Sequence, residues 1–250
     1  MGTNIGRAAL AEAIGTFALI FIGVLAIAAS DVVGATGAAN LASIGLAHGL
    51  TIAVMVAALG AISGAHFNPA VTFGFLVTGR MPPVRGLVYI AAQLAGATAA
   101  GALIVALYGS GIVADGTPAL GTLANTTTTI SPAVGIVTEA VTTFFLVLVV
   151  FGTAVDQRAP KSVFPLAIGL TVALDIMATG PLTGAAMNPA RHFGPALASG
   201  AWGAWYVYWI GPLIGGALGA LVQHYVFMDR APSDRVAAQG GPAPSEQRRR

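Results

Sequence analysis

Two short stretches of the chain combine hydrogen-bonding side chains with helix-starting geometry. Asn68-Pro69-Ala70 and Asn188-Pro189-Ala190 are the same triplet, 120 residues apart. Asn is a favoured N-cap, and Pro fits the first helical position, where no N–H is needed. Each triplet therefore predicts a helix start, with the positive end of its dipole beside an amide side chain. Arg191 follows the second triplet directly. Glu12 and Glu139 lie in otherwise apolar stretches and could pair as acid and base. Their matched settings, Ala11-Glu12-Ala13 and Thr138-Glu139-Ala140, favour another role, in which each accepts backbone donors from its own half of the chain. No nucleophile–base set or metal cluster accompanies them. The absence of cysteine removes disulfides, thiolate zinc sites and cysteine nucleophiles together. The chemistry on offer is hydrogen bonding and fixed charge, so no enzyme activity, metal or cofactor is expected.

The elements holding these residues must be membrane helices. Residues of the AVILMFWYC set make up 56% of the 250 and DEKR only 8%, against roughly 25% charged in a soluble domain. That excludes a soluble enzyme, and a formal charge of +2 is too small and scattered for nucleic-acid binding. A crossing helix needs about 20 apolar residues. Six stretches qualify, near 8–30, 41–62, 84–108, 132–154, 162–180 and 204–228. Gly-rich 31–40, the Arg80-Met81-Pro82-Pro83 stop, the Gly- and Thr-rich 109–131 and the charged 156–161 separate them. Ala28-Ala29-Ser30 is like a signal-peptide cleavage site, but the first stretch is too long and carries Glu12.

With six spans, ten of the eleven basic residues fall on one side. Both termini are therefore expected in the cytoplasm, in a plasma (inner) membrane protein. Arg191 is the exception, on the opposite side. Residues 1–228 read as one membrane domain. The tail 229–250, Pro-, Gly- and Arg-rich without apolar period, is expected to be disordered. Asn125-Thr126-Thr127 is a formal glycosylation sequon on an outer connection.

The chain repeats itself. Ser63 to Gly74 aligns without a gap with Thr183 to Gly194, and Val88-Tyr89 with Gly96 answers Val207-Tyr208 with Gly215. The halves, about 7–108 and 132–228, each hold three spans, an odd number that forces opposite orientations and collects function near the midplane. Residues 68–78 and 188–199 give about ten helical residues each, half a membrane at about 1.5 Å per residue. They must re-enter from their own sides, with both N-termini pointing to the centre.

Paired Gly-Ala-x-x-Asn-Pro-Ala motifs within six spans resemble the aquaporin and glycerol-facilitator family, together with Glu12, Gly15-Thr16-Phe17, Gln93, Glu139 and Arg191 with Gly194-Pro195. The resemblance implies an all-α bundle of six helices and two half-helices in an inverted repeat, assembled as a homotetramer with one pore per subunit. It implies that Asn68 and Asn188 donate to one central water, and that the dipoles behind them disfavour a cation. Arg191 matches the constriction arginine, where a fixed charge faces a cavity and repels cations.

Counted from the asparagines, the remaining filter positions implied by the family are His48, Ile176 and Ala185. This set is closer to the plant vacuolar type than to strict water channels (Phe–His–small–Arg) or glycerol facilitators (Trp–Gly–Phe–Arg). A wider, partly apolar mouth follows, passing water and small neutral solutes such as ammonia or urea while excluding protons and ions. Neutral His48 can accept a hydrogen bond from such a solute, which Arg191 cannot. His192 matches neither subfamily, and Asp175 belongs either to the pore mouth or to a buried network. Within the channel class the competing reading is a glycerol or polyol facilitator. Outside it, a secondary transporter would need coupling-ion ligands, for which only Asp175 is unassigned.

Overall fold

A computed structural model describes residues 4–123 and 126–228. The sequon asparagine Asn125 and the tail 229–250 lie outside the described residues. The first half contains α1 (Ile5–Val32), α2 (Gly37–Ser63), the short α3 (Pro69–Val77), α4 (Pro83–Tyr108) and α5 (Ser110–Asp115). The second contains α6 (Pro132–Val150), α7 (Phe164–Thr183), the short α8 (Pro189–Ser199) and α9 (Val207–Val222). α6 and α9 each continue in a wider turn, Phe151–Val155 and Gln223–Phe227. Six of these elements are long and apolar enough to cross a bilayer, so the protein is an integral, multi-pass membrane protein. The nine residues of α3 and eleven of α8 are not.

Burial runs opposite to that of a soluble protein. Leu10, Ile14, Val54, Leu87, Val137, Leu174 and Ile214 are exposed on the outside, while Glu12, Thr72, Gln93, Glu139, Thr143 and Thr183 are fully buried. Lipid solvates the first set, and the second must find hydrogen-bond partners inside the protein.

The inverted repeat is visible in how helices touch. α1 packs on α4 where a Cβ on Gly96 would meet the Ala13 backbone, and α6 packs on α9 where one on Gly215 would meet the Ala140 backbone. Between the halves, α2 crosses α7 with Gly49 against the Gly169 carbonyl and Gly169 against the Gly49 carbonyl. Small residues let backbones approach this closely in lipid, where the hydrophobic effect does not drive helices together.

The connection after α6 is fastened by charge. Arg158 Nη2 reaches Asp156 Oδ2 and the Phe227 carbonyl, each at 2.6 Å. Lys161 Nζ reaches the Asp156 carbonyl at 2.6 Å. The Arg158 side-chain and backbone donors hold the Asp156 carboxyl down at about 2. Because that lies below the ordinary carboxylate value, the contact stabilises the fold above about pH 4 and is lost as pH falls toward 2.

Residues 109–123 and 126–131 are more structured than the reading as a Gly- and Thr-rich break. They contain α5, then a segment that folds down beside the second re-entrant loop. Gly121 N–H donates to the Leu182 carbonyl at 2.9 Å, and Ile130 N–H to the Gly121 carbonyl at 2.9 Å.

Candidate functional site

The two Asn-Pro-Ala triplets start α3 and α8, as N-cap logic requires. Asn68 Oδ1 accepts from Ala70 N–H at 2.8 Å, and Asn188 Oδ1 from Ala190 N–H at 3.0 Å. The amide nitrogens then cross between the halves. Asn68 Nδ2 donates to the Met187 carbonyl at 2.8 Å and Asn188 Nδ2 to the Phe67 carbonyl at 2.9 Å. Each amide carries two hydrogens, so each keeps one N–H beyond the cross-link. Both asparagines line the central passage.

The loops entering α3 and α8 are held in costly conformations. Ala65 and Phe67 have φ of 53° and 50°, and their counterparts Ala185 and Met187 have 44° and 52°. Left-handed backbone at non-glycine residues costs of order 1–3 kcal/mol each and persists only when over-determined. A buried carboxylate supplies that in each half. Glu12 accepts from Ser63 Oγ (2.7 Å), His66 N–H (3.0 Å), Phe67 N–H (2.7 Å) and Gln93 Nε2 (2.8 Å). Glu139 accepts from Thr183 Oγ1 (2.7 Å), Ala186 N–H (3.0 Å) and Met187 N–H (2.7 Å). The two acids share no hydrogen-bond partner, so each braces its own loop rather than forming an acid–base pair.

Replacing Glu139 with Gln sets an amide donor against a backbone N–H and leaves one buried donor unmatched, at a cost of about 1–3 kcal/mol. Glu139→Gln should therefore unfold several degrees below wild type in detergent. An unchanged unfolding temperature would show that the carboxylate is not what holds the loop.

At the end of the passage beside residues 116–121, which we call the outer end, His48, Ile176, Ala185 and Arg191 come together on the same lining. Arg191 is 5% exposed. Its Nε donates to His48 Nε2 at 3.3 Å and its Nη1 to the Gly116 carbonyl at 2.8 Å. His48 Nδ1 lies 2.9 Å from the Ile44 carbonyl, which can only accept. The proton is therefore on Nδ1, and the Nε2 lone pair is taken by Arg191. This corrects the expectation that His48 is free to accept from a passing solute. Gly116 was not legible in the sequence, because a backbone carbonyl carries no residue signature.

Two ambiguous residues fall away from the passage. His192 is fully buried and stacks on Tyr208 with ring centroids 4.4 Å apart. Asp175 is half-buried on α7, its Oδ2 without a partner, beside Ile176 but not among the lining residues.

Three cavities share walls in series. An outer vestibule of about 360 Å³ shares His48, Ile176 and Arg191 with the central passage. An inner vestibule of about 510 Å³ shares His66, Phe75 and Phe164 with it. The passage itself offers about 60 Å³ to water, room for a short file when one molecule needs roughly 10–15 Å³. Its walls are otherwise apolar, including Leu19, Ile52, Val56, Leu146, Val150 and Val172. His66, on the inner side, bonds Thr72 Oγ1 at 3.0 Å.

Six spans around two half-helices that meet N-terminus to N-terminus, with one narrow passage along that meeting point, define a membrane channel. The sequence matches the Major intrinsic protein family over residues 2–223. It is 45% identical over 245 residues to aquaporin TIP4-4 of Zea mays, covering 95% of this chain and 90% of that protein. Aquaporin TIP2-1 of Arabidopsis thaliana is 42% identical over 227 residues, covering 89% of this chain and 88% of that one. The X-ray structure of the aquaglyceroporin from Plasmodium falciparum superposes with a TM-score of 0.74 at 25% identity, covering 89% of this chain and 97% of that one. The chain belongs to the major intrinsic protein family and is an aquaporin-type channel.

Proposed function

We propose that the protein passes water and small neutral solutes, ammonia and urea among them, down their gradients while excluding protons and ions. The observation that carries this reading is the filter. Arg191 is held to one wall by His48 and Gly116, while Ile176 and Ala185 opposite offer no side-chain hydrogen bond and, at Ala185, little bulk. A solute passing there meets a fixed charge on one side and apolar surface on the other. Farther in, the remaining N–H of Asn68 and of Asn188 orients one water, and the two helix dipoles oppose a cation. A coupled transporter fits less well, since Asp175, its one unassigned acid, does not line the passage.

The test is light scattering of proteoliposomes under gradients of sucrose, glycerol, urea and ammonium. Water flow should rise with a low activation energy, urea and ammonia should enter faster than into empty liposomes, and no proton current should appear. Shrinkage like that of empty liposomes, with folded protein present, sinks the channel reading. Water flow with exclusion of both solutes sinks the wide filter alone. Glycerol entry exceeding urea entry would favour a polyol facilitator.

The family resemblance further supports a homotetramer. The basic end, with Arg80, Arg85, Arg158 and Lys161, is proposed as the cytoplasmic face, and the likeness to TIP aquaporins points away from the plasma (inner) membrane expected from the sequence. Cysteine labelling at Gly203 and Gln157 from either side, and fractionation of the host's membranes, test both points.

A further inference from the structure

The His48 ring is confined on three sides. Ile44 and Arg191 hold its two nitrogens, and the third side is the backbone of α1 at Gly23. A Cβ added there would press on Nε2 and lie 2.7 Å from Cδ2 and 2.9 Å from Cε1 of the ring. Those are the three nearest atoms to that Cβ. Gly23 is buried and lines neither the passage nor the outer vestibule. It stands behind the imidazole.

The second half shows what the position holds when no ring must fit. Glu12, Thr16 and Leu19 have their counterparts 127 residues later in Glu139, Thr143 and Leu146, and Gly23 has Val150. Gly49, Ser63 and Asn68 have theirs 120 residues later in Gly169, Thr183 and Asn188, and His48 has Ile168. Val150 and Ile168 both line the passage. Where the second half places Val150 and Ile168, the first half places a glycine on α1 and an imidazole on α2.

We propose that Gly23 is a positioning residue for selectivity: the room it leaves lets the His48 ring lie back against α1, where Nε2 meets Arg191 and holds the guanidinium against the Gly116 side of the outer mouth. Filter width is then set from behind the wall, by a residue no solute touches. The inference rests on the wide-filter reading above for its transport consequence, and on the contacts of His48 alone for its structural one.

The experiment is a double-mutant cycle of Gly23→Ala and His48→Ala in proteoliposomes, reading the ratio of urea to water permeability. An added methyl must drive the ring away from α1 and off Arg191. Gly23→Ala should therefore lower the ratio by about tenfold, the effect of ~1.4 kcal/mol on a barrier. In the His48→Ala background the same methyl meets no ring and should leave the ratio where His48→Ala alone put it. A ratio unchanged by Gly23→Ala, or lowered equally with and without His48, overturns the proposal.

A second readout is independent of transport. In protein labelled with ¹⁵N-histidine, which carries four such residues, the His48 Nε2 resonance should be that of a hydrogen-bonded acceptor and should shift in Gly23→Ala. An unshifted resonance overturns the proposal whether or not urea passes. If wild type excludes urea while the resonance shifts as expected, the wide-filter reading fails and the positioning role stands. Should Gly23→Ala fail to fold, the double variant must fold, because the obstructing ring is gone; a double variant equally unable to fold also overturns it.

Discussion

Replacing Arg191 with alanine should open the outer end of the passage to cations and raise urea entry, with water flow retained. The guanidinium is buried and lines the narrow part of the route, so a cation cannot pass far from it. Two like charges about 4 Å apart repel by about 4 kcal/mol at an effective dielectric of 20, nearly a thousandfold in rate. That figure is a ceiling for the single variant, because the proposed function sets a second barrier in series at the helix ends of Asn68 and Asn188. The variant should fold, since the acceptors it abandons, His48 Nε2 and the Gly116 carbonyl, border the outer vestibule, where water can satisfy them. Bilayer conductance with sodium or protons, beside light scattering with urea, reads both effects. Unchanged cation exclusion and unchanged urea entry would remove Arg191 from the filter.

Much of this geometry was legible because a membrane leaves polar residues few options. A glutamate inside an apolar span must be paired or hydrogen-bonded, and repetition of its setting at Glu139 tied each acid to its own re-entrant loop. Asn-Pro announced both half-helices for a local reason, and α3 and α8 start one residue after each Asn. Counting from those asparagines to the positions the resemblance implies led to four residues that share one lining. What counting could not give was the direction of each hydrogen bond. The His48 tautomer depends on the Ile44 carbonyl one turn back and on Arg191, 143 residues away.

The outer connection was hidden for a related reason. The Gly116 carbonyl binds Arg191 through an atom every residue has, and residues 109–131 show no apolar period to draw attention to them. His192 matched neither subfamily, and the sequence offered no partner for it. Its ring packs against Tyr208 and Trp202, and it is not among the residues lining the passage.

Asn188→Asp tests the central barrier and should act together with Arg191→Ala. The substitution keeps the cap, since a carboxylate oxygen can still accept from Ala190 N–H. It removes the donor that meets the Phe67 carbonyl at 2.9 Å. Two outcomes follow from protonation. A protonated acid can donate to that carbonyl and leave the passage nearly as it was. An ionised one faces an acceptor with an acceptor, breaks the cross-link between the halves, and sets a negative charge between two positive helix ends. Cation conductance should therefore rise with pH as the carboxyl ionises, while in wild type it stays low throughout. Barriers in series make the combination informative: either single variant leaves the other barrier standing, so the double variant should conduct by more than the sum of the two. Conductance of Asn188→Asp is to be measured across pH 5 to 9 in planar bilayers, alone and with Arg191→Ala, with water flow as the check on fold. A flat, wild-type response at every pH, with water flow preserved, would place the cation barrier elsewhere than the meeting point of α3 and α8.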